Sequence, residues 1–385
     1  MYNFKYDIGT KVYFGKDQIE QLPASVKEYG KKVLLCYGGG SIKRNGIYDT
    51  ITGLFKENGI EWVELSGIEP NPRHTTVNRG AAICRENDVD VVVAIGGGST
   101  IDCAKAVAFA KFYDGDAWDI VTRKAKPTGF LPVIAVLTLS ATGSEMDTFG
   151  VISNMNTNDK LGFGFPESRP VVAIMDPQYT FSVSKYQTAS GSADIMSHTL
   201  ETYFTPVKDA FLQDRFLEGI LKTVIKYAPV ALEKPENYEA RANLMWASSW
   251  AINDMVGYGK KCPWTVHPME HELSAYFDIT HGVGLAILTP HWMEYVLSED
   301  TVDKFVEYAV NVWNIPAGED KFETAHKGIE ATRRFFFDTL GIPSRLRDVG
   351  ITEDKLEVMA NKLNLTNVYV PLTSEDVLKI YKASF

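Results

Sequence analysis

The order of hydrophobic and polar positions divides this chain into two parts of different character. Through residues 1–185, short apolar runs rich in β-branched residues alternate with longer amphipathic segments. The run at 89–95, V-D-V-V-V-A-I, has the composition of a parallel strand that is buried on both faces. The alternation predicts an open α/β sheet with crossover helices. After residue 186 the apolar positions follow helical spacing, which predicts a second, all-helical part.

These patterns assign elements along the chain. A chain of 385 residues exceeds the size that one hydrophobic core usually serves, so two domains are expected, a dinucleotide-binding domain over 1–185 and a metal-binding helical domain over 186–385. Strands are predicted at 12–14 in an early hairpin and at 33–37, 62–65, 89–95, 133–137 and 171–175, with helices at 47–58, 75–86 and 101–112. The helices predicted after them cover 186–204, 208–232, 236–256, 283–297, 301–313, 320–340 and 352–362.

Two G-G-G-S turns, at 38–41 and 96–99, each follow a predicted strand and precede a predicted helix. Glycine lets backbone amides approach a ligand, and a helix N-terminus favours anionic groups. We therefore expect a pyrophosphate beside Gly97, Gly98 and Ser99, with Asp102 in the first turn of the helix. A single turn of this kind would be explained equally well as a tight corner between a strand and a helix, with no ligand. The second turn, and the hydroxyl-rich T-L-S-A-T-G-S after a third strand, favour a cofactor site.

The first of these turns also bears on the choice of cofactor. Sites for NAD often place a carboxylate on the ribose 2′-hydroxyl, but no acidic residue follows this strand directly. Gly39 and Ser41 instead leave space and hydrogen-bond donors for a 2′-phosphate. The sequence thus predicts that NADP(H) is preferred over NAD(H).

A group of histidines and one aspartate provides the second candidate site. Asp194 and His198 are four residues apart, as are His267 and His271, and a further histidine, His281, stands in T-H-G. Residues at i and i+4 share one face of a helix, so a carboxylate and three imidazoles could converge on a divalent cation. Each pair alone is more simply a structural pair on a helix. The donor set suits Fe²⁺, Zn²⁺, Mn²⁺ or Co²⁺ without selecting among them.

Charge and composition exclude several classes of function. The net charge of −10, with no basic block, argues against nucleic acid or an anionic membrane as the main partner. No apolar run approaches the ~20 residues of a membrane span, and the N-terminus has no secretory signal pattern. Cys36, Cys84 and Cys103 stand in apolar stretches and are expected to be buried and reduced. A cytoplasmic location is expected.

Five motifs together resemble the iron-containing (group III) alcohol dehydrogenases, in particular the branch of NADPH-dependent butanol dehydrogenases and broad aldehyde reductases. They are G-G-G-S-T-I-D at 96–102, T-L-S-A-T-G-S-E-M at 138–146, M-D-P-Q-Y-T-F-S-V-S at 175–184, S-A-D-I-M-S-H at 192–198, and H-P-M-E-H-E-L with the T-H-G that follows it. The resemblance spans essentially the whole chain. It implies a Rossmann-like α/β N-terminal domain with an all-α C-terminal domain, the dehydroquinate synthase-like architecture. It also makes a homodimer the expected assembly.

The resemblance also implies roles for individual residues. The metal ligands would be Asp194, His198, His267 and His281, with Fe²⁺ the expected ion and Zn²⁺ or another divalent ion as alternatives. His271 matches a histidine near the substrate that takes part in proton transfer. The glycine at 39 replaces the aspartate of NAD-preferring members, which again favours NADP(H). Further expected cofactor contacts are Asn71 in the P-N-P loop, Thr138, Thr142 and Lys160.

The function expected from these residues is reversible hydride transfer between NADP(H) and small, largely apolar primary alcohols and aldehydes such as butanol and butanal. Phe149 and Trp264 are candidate walls of the substrate pocket because each follows a functional motif closely. The related glycerol dehydrogenases and dehydroquinate synthases are an alternative. Their polar substrates would need basic groups near the metal, for which the 260–284 segment offers chiefly Lys260 and Lys261. A sensor that binds NADP without turnover is a third, non-enzymatic alternative.

Overall fold

A parallel sheet is the centre of the first of two units in the structure, a computed structural model that describes residues Met1–Phe385. This α/β unit comprises Asp7–Val183. Its main sheet has six strands in the order β1-β8-β5-β4-β2-β3, and all neighbouring pairs are parallel. The strands of the unit are β1 (Lys11–Phe14), β2 (Lys32–Tyr37), β3 (Glu61–Leu65), β4 (Val91–Gly96), β5 (Val133–Leu137), β6 (Phe149–Asn154), β7 (Asp159–Gly164) and β8 (Val172–Met175).

The interior strands of the sheet are buried on both faces. Every residue of β4, β5 and β8 is buried, which explains why these strands are continuous apolar runs in the sequence. The predicted sheet is confirmed in composition and direction. The helices around it are α1 (Leu22–Lys27), α2 (Ser41–Arg44), α3 (Ile47–Glu57), α4 (His74–Glu86), α5 (Gly98–Ala110) and α6 (Ala117–Val121).

Three local features of this unit differ from the prediction. The strand β1 is not part of a hairpin, because it pairs parallel with β8 at the edge of the sheet. The antiparallel hairpin of β6 and β7 was not predicted, since its strands are rich in glycine and polar residues and lack a regular apolar pattern. The helix α5 begins at Gly98, so Asp102 lies in its second turn, away from the helix N-terminus where it was expected.

The second unit, Ser184–Phe385 together with Met1–Tyr6, is helical. Its central helix α7 is buried at every position from Thr188 to Tyr203 and packs against α8, α9 and α12. A helix surrounded in this way can carry polar side chains only if they have a partner or a ligand. The helices are α7 (Lys185–Tyr203), α8 (Phe211–Glu233), α9 (Tyr238–Ile252), α10 (Asp254–Gly257), α11 (Val266–Phe277), α12 (His281–Val296), α13 (Val302–Trp313), α14 (Lys321–Arg334), α15 (Leu356–Lys362) and α16 (Ser374–Ala383).

Some helix boundaries in this unit depart from the prediction. The T-H-G segment is not a separate turn, because His281 is the first residue of α12. The helix predicted over 320–340 ends as an α-helix at Arg334 and continues as one π turn, Phe335–Thr339. The helix α16 was missed, although Thr373 and Asp376 form a capping box that marks its start.

Two expectations from composition can be compared with the structure. Cys36, Cys84 and Cys103 are buried and unpaired, as predicted, and the half-buried Cys262 is unpaired too. None of the helices is both long enough and apolar enough to span a membrane.

Candidate active site

The buried helix α7 carries three polar side chains on one face, at Asp194, His198 and Glu201. Their spacing of four and then three residues places them in one row along the helix. The side chains of Asp194 and His198 are 4% and 5% exposed, and Asp194 Oδ1 lies 3.6 Å from His198 Nδ1. These side chains therefore face other helices of the same unit and not solvent.

The start of α11 is held by Glu201, and this contact positions His267. One carboxylate oxygen accepts hydrogen bonds from the amides of Thr265 at 2.8 Å, Val266, and His267 at 3.3 Å. The N-cap residue Thr265 gives no side-chain cap of its own, so a carboxylate from α7 takes that place. The other oxygen of Glu201 lies 2.6 Å from His267 Nδ1. His267 Nε2 is thereby turned to within 3.8 Å of Asp194 Oδ1.

The start of α12 brings His281 to the same point. A Cβ on Gly282 would lie 2.1 Å from the carbonyl oxygen of Ser190, so only glycine allows α12 to pack this closely against α7. His281 Nδ1 contacts the fully buried carboxylate of Glu270, and His281 Nε2 lies 3.7 Å from Asp194 Oδ1. Both histidines thus use Nδ1 on a glutamate and direct Nε2 at Asp194.

The resulting cluster has the properties of a cation site. Asp194 Oδ1, His198 Nδ1 and His267 Nε2 are buried without a hydrogen-bond partner, which is costly in the absence of a ligand. The three nitrogens stand 3.6–3.8 Å from Asp194 Oδ1. Ligand atoms that surround one ion at about 2.0–2.2 Å are separated by roughly 3.3–3.6 Å, so little adjustment would be needed. Asp194, His267 and His281 bring ligand atoms within 4.8 Å of one another, and the ring of His198 stacks on His267 at 4.5 Å.

The electrostatics of the cluster reflect mutual pairing. Burial acts to raise the pKa of Asp194, but the facing imidazoles lower it to about 2. Burial lowers the pKa of His198 to about 4, so this ring is neutral and able to donate an electron pair. Burial also acts to lower the pKa of His267, but Glu201 and Asp194 outweigh it and raise that pKa to about 9. Metal binding would therefore release a proton from His267.

Two other residues named from the sequence border this cluster. His271 is half-buried, and its ring centre lies 5.5 Å from that of His281 and 6.3 Å from that of His267. The Trp264 ring packs 4.9 Å from His267 and 5.8 Å from His198. The structure thus places both residues at the histidine cluster.

The glycine turns of the α/β unit flank the point where the strand order reverses. In the sheet, β3 lies on one side of β2, whereas β4, β5 and β8 lie on its other side. The strand order therefore reverses between β2 and β4. Open α/β sheets bind ligands at such a point, beyond the carboxyl ends of the strands. The turns that carry Gly39 and Gly97 follow β2 and β4 directly.

The loop after β5 closes against the second glycine turn. The amide of Thr138 donates to Gly96 O at 3.0 Å, and a Cβ on Gly98 would lie 2.2 Å from Thr142 Oγ1. The predicted cofactor contacts Gly97, Gly98, Thr138 and Thr142 are therefore side by side. Only glycine at 98 allows the threonine to reach the N-terminus of α5.

The P-N-P loop and the β6–β7 hairpin adjoin this turn. Ser99 Oγ contacts Pro70 O, and the amide of Ser153 donates to Pro72 O at 2.8 Å. Ser153 faces Lys160 across the hairpin, so Asn71 and Lys160, both buried, are brought to the same end of the unit. The unpredicted hairpin is what places Lys160.

Asp102 and the first glycine turn have different surroundings. The Asp102 carboxylate accepts hydrogen bonds from Ser144 Oγ at 2.6 Å and from the amide of Val151 at 2.9 Å, so both oxygens hold neighbouring segments in place. Gly39 and Ser41 are exposed, and a Cβ on Gly39 would meet no atom within 4 Å. The first turn therefore has room for a phosphate or for a side chain.

Comparison with known families identifies the chain. Residues 9–177 match the family described as iron-containing alcohol dehydrogenase, and residues 188–385 match the C-terminal part of the Fe-containing alcohol dehydrogenase family. The chain belongs to the iron-containing alcohol dehydrogenase family. It is accordingly an NAD(P)-dependent alcohol dehydrogenase or aldehyde reductase, and the predicted family and fold class are confirmed.

Individual family members are similar over the full length. The chain is 57% identical to NADH-dependent butanol dehydrogenase A of Clostridium acetobutylicum, with 100% of both chains covered. It is 40% identical to an NADPH-dependent aldehyde reductase of Escherichia coli, over 94% of this chain and 93% of the relative. The crystal structure of NADH-dependent butanol dehydrogenase A from Thermotoga maritima has a TM-score of 0.95 at 37% identity, over 100% and 99% of the two chains. Because these names include both cofactors, the predicted preference for NADP(H) is not confirmed.

Glu201 and Glu270 are the site residues that the sequence interpretation missed. Glu201 continues the row of Asp194 and His198 on α7, and Glu270 lies three residues after His267 on α11. This helical spacing was the available signal. Their partners, however, come from other helices, and no local pattern predicts such contacts. In the iron-containing alcohol dehydrogenase described here, both glutamates fix the orientation of a histidine in the cluster.

Proposed function

We propose that this alcohol dehydrogenase is metal-dependent and interconverts small, largely apolar primary alcohols and aldehydes such as butanol and butanal. The observation that carries the proposal is the convergence of Asp194, His198, His267 and His281 through buried atoms, three of which have no hydrogen-bond partner. A carboxylate with imidazoles suits Fe²⁺, and Zn²⁺ would also fit. The names of the similar butanol dehydrogenases support the substrate class.

In this proposal the protein prepares the site and the bound groups supply the chemistry. A divalent ion would polarise the substrate oxygen, and the nicotinamide would give or accept the hydride. Glu201 and Glu270 hold His267 and His281 at Nδ1, so that both Nε2 atoms are directed at Asp194, where the ion would bind. His271, half-buried beside His281, would carry the alcohol proton toward solvent.

One of the two lysines named for the polyol alternative, Lys260, already has a partner. The side chain of Lys260 is fully buried, and its ammonium pairs with Asp214. This lysine is therefore held in an ion pair and is not free to bind a polar substrate. No other observation favours a polyol or sugar-acid substrate.

For the cofactor we infer that both NADPH and NADH are accepted. The open, exposed turn at Gly39 supports entry of the 2′-phosphate, and Lys43 and Arg44 follow it on the exposed side of α2. The names of the similar NADH-dependent enzymes support NADH. A preference for NADP(H) stays a prediction that the ratio of kcat/KM for the two cofactors would decide.

One assay tests the proposed function. Protein freed of metal with a chelator and then reloaded with Fe²⁺ or Zn²⁺ is mixed with butanal and reduced cofactor, and the absorbance of the nicotinamide is followed. The proposal expects turnover that is lost on chelation and restored by metal. Turnover that is unaffected by complete metal removal would show that the reaction is not metal-dependent. The predicted homodimer can be checked by light scattering on the same sample.

A further inference from the structure

A cavity of about 590 Å³ lies within the helical unit, bordered by residues outside the histidine cluster. It is a groove open to solvent, bordered by the C-terminal ends of α14 and α16, by the 344–347 segment and by His291 of α12. We call it the arginine cavity. Its cationic side chains are Arg333, Arg334, Arg345, Arg347 and Lys382.

The charges around the arginine cavity are not balanced. Three carboxylates line it with the five cations, the side chains of Glu330 and Asp338 and the terminal carboxylate of Phe385, which pairs with Arg347. Glu330 is shared between Arg334, at 2.8 Å, and Arg333, at 3.5 Å. Arg345 and Lys382 form no ion pair with the protein. On a chain with a net charge of −10, this is a local concentration of positive charge that favours anions.

The walls of the cavity are held by contacts within the unit. The amide of Leu346 donates to Ser384 O at 2.9 Å, and Arg347 Nε donates to Phe385 O at 2.5 Å. The guanidinium of Arg347 also lies 5.2 Å from the centre of the Phe385 ring. These contacts fix the loop that carries Arg345 against the end of α16, which carries Lys382.

Uncharged groups in the cavity can contact the rest of a ligand. The rings of Phe337 and Phe385 line it. Burial, and then Arg333, lower the pKa of His291 to about 4. This histidine is therefore a neutral hydrogen-bonding group at pH 7, and it adds no further positive charge.

We propose that the arginine cavity binds a small organic phosphate that carries two or more negative charges. Guanidinium groups match phosphate oxygens in paired hydrogen bonds, and Arg345 and Lys382 have no carboxylate partner in the protein, so their charges are available to a ligand. The volume lies within the range of roughly 300–1,000 Å³ found for small-molecule sites. The aromatic rings and His291 would contact the organic part. Such a ligand would bind apart from the proposed metal ligands.

The proposal is tested by calorimetric titration with fructose 1,6-bisphosphate as the probe, at low salt and with saturating NADH to occupy the cofactor turns. Binding should weaken at least about tenfold in the double variant Arg345→Ala/Lys382→Ala, since each lost residue removes a charge-assisted hydrogen bond. Lys379→Ala, one turn earlier on α16 and paired with Glu375, is the matched control and should bind like wild type.

All positions changed are exposed, so folding should be preserved, and butanal reduction without the probe should be equal in every variant. Lys382→Glu alone should also weaken binding at least about tenfold, because it reverses one charge. An affinity in the double variant equal to that of wild type would overturn the proposal. The absence of binding to wild type would overturn it as well.

Discussion

Replacing Glu201 with glutamine tests how the histidine cluster is organised. The carboxylate accepts four hydrogen bonds, from the amides of Thr265, Val266 and His267 and from His267 Nδ1. An amide side chain has one accepting oxygen, and that oxygen would be retained by the three backbone donors. Its NH₂ group would then face His267 Nδ1 and favour the tautomer with the proton on Nε2. The atom that faces Asp194 would no longer be free to bind a metal.

The expected magnitude follows from this rearrangement. Loss of the carboxylate behind a metal-binding histidine typically weakens metal affinity 10–100-fold, or about 1.4–2.7 kcal/mol. Loss of the charged partner of buried donors should also lower the free energy of unfolding by about 1–3 kcal/mol. The first effect is a loss of metal affinity, and the second is a loss of stability of the protein itself. They are separated by measuring the metal-free protein as well.

Metal affinity is measured for wild type and Glu201→Gln by letting each apo protein compete for the metal with a chelator of known affinity. The stability of each apo protein is measured separately by denaturant unfolding. Nitrogen NMR of the histidine rings would report the tautomer of His267 directly. Glu272→Gln is the matched control, because Glu272 is a buried glutamate on α11, the helix of His267, and pairs with Lys362 instead of a histidine. Metal affinity in Glu201→Gln equal to that of wild type and the control would refute the reasoning.

Three further predictions concern the α/β unit. Gly98→Ala places a Cβ 2.2 Å from Thr142 Oγ1, so it should lower the free energy of unfolding by about 1–3 kcal/mol and weaken NADH binding, as measured by thermal unfolding and fluorescence titration. Gly39→Ala is the control, because a Cβ there meets open space and should change neither quantity. Equal losses in both variants would contradict the packing argument. Gly39→Asp should reduce kcat/KM for NADPH at least about tenfold relative to NADH, through repulsion of the 2′-phosphate, and an unchanged ratio would remove that turn from the account. Removal from water raises the pKa of Asp102 from its usual 3.8 to about 6. The folded state therefore favours the protonated carboxyl, and wild type loses stability as the pH rises from about 4 to about 6 and the buried group becomes charged. Between pH 4 and 7, denaturant unfolding should therefore show Asp102→Asn gaining about 2 kcal/mol relative to wild type, and a flat difference would contradict the shift.

Sequence patterns correctly predicted the strands and helices whose limits are determined by residues within the same stretch of chain. The strand β4 is apolar because both of its faces are buried, and α3 ends before Gly59, which takes a left-handed conformation. The early start of α5 was missed because glycines are poor helix formers, although Gly98 must be glycine to admit Thr142. Tertiary packing decided the outcome there.

In the candidate site, too, residues related by spacing within one helix were predicted, whereas contacts between helices were not. Asp194 and His198 were found from their spacing within one helix, and His267 and His271 from theirs. The contacts of Glu201 with the start of α11, and of Glu270 with His281, join helices that are distant in sequence. No periodicity within one helix predicts them. The hairpin that places Lys160 beside the P-N-P loop is likewise fixed by the pairing of Ser153 with Pro72.

The central claim, that Asp194 and three histidines hold a divalent ion, is tested most directly by metal content. Wild type and Asp194→Asn are loaded anaerobically with Fe²⁺, passed through a desalting column and analysed by elemental mass spectrometry, with circular dichroism to confirm that both are folded. The account predicts about one ion per chain in wild type and less than roughly a tenth of that in the folded variant. Equal metal in the two proteins, or none in wild type, would contradict it.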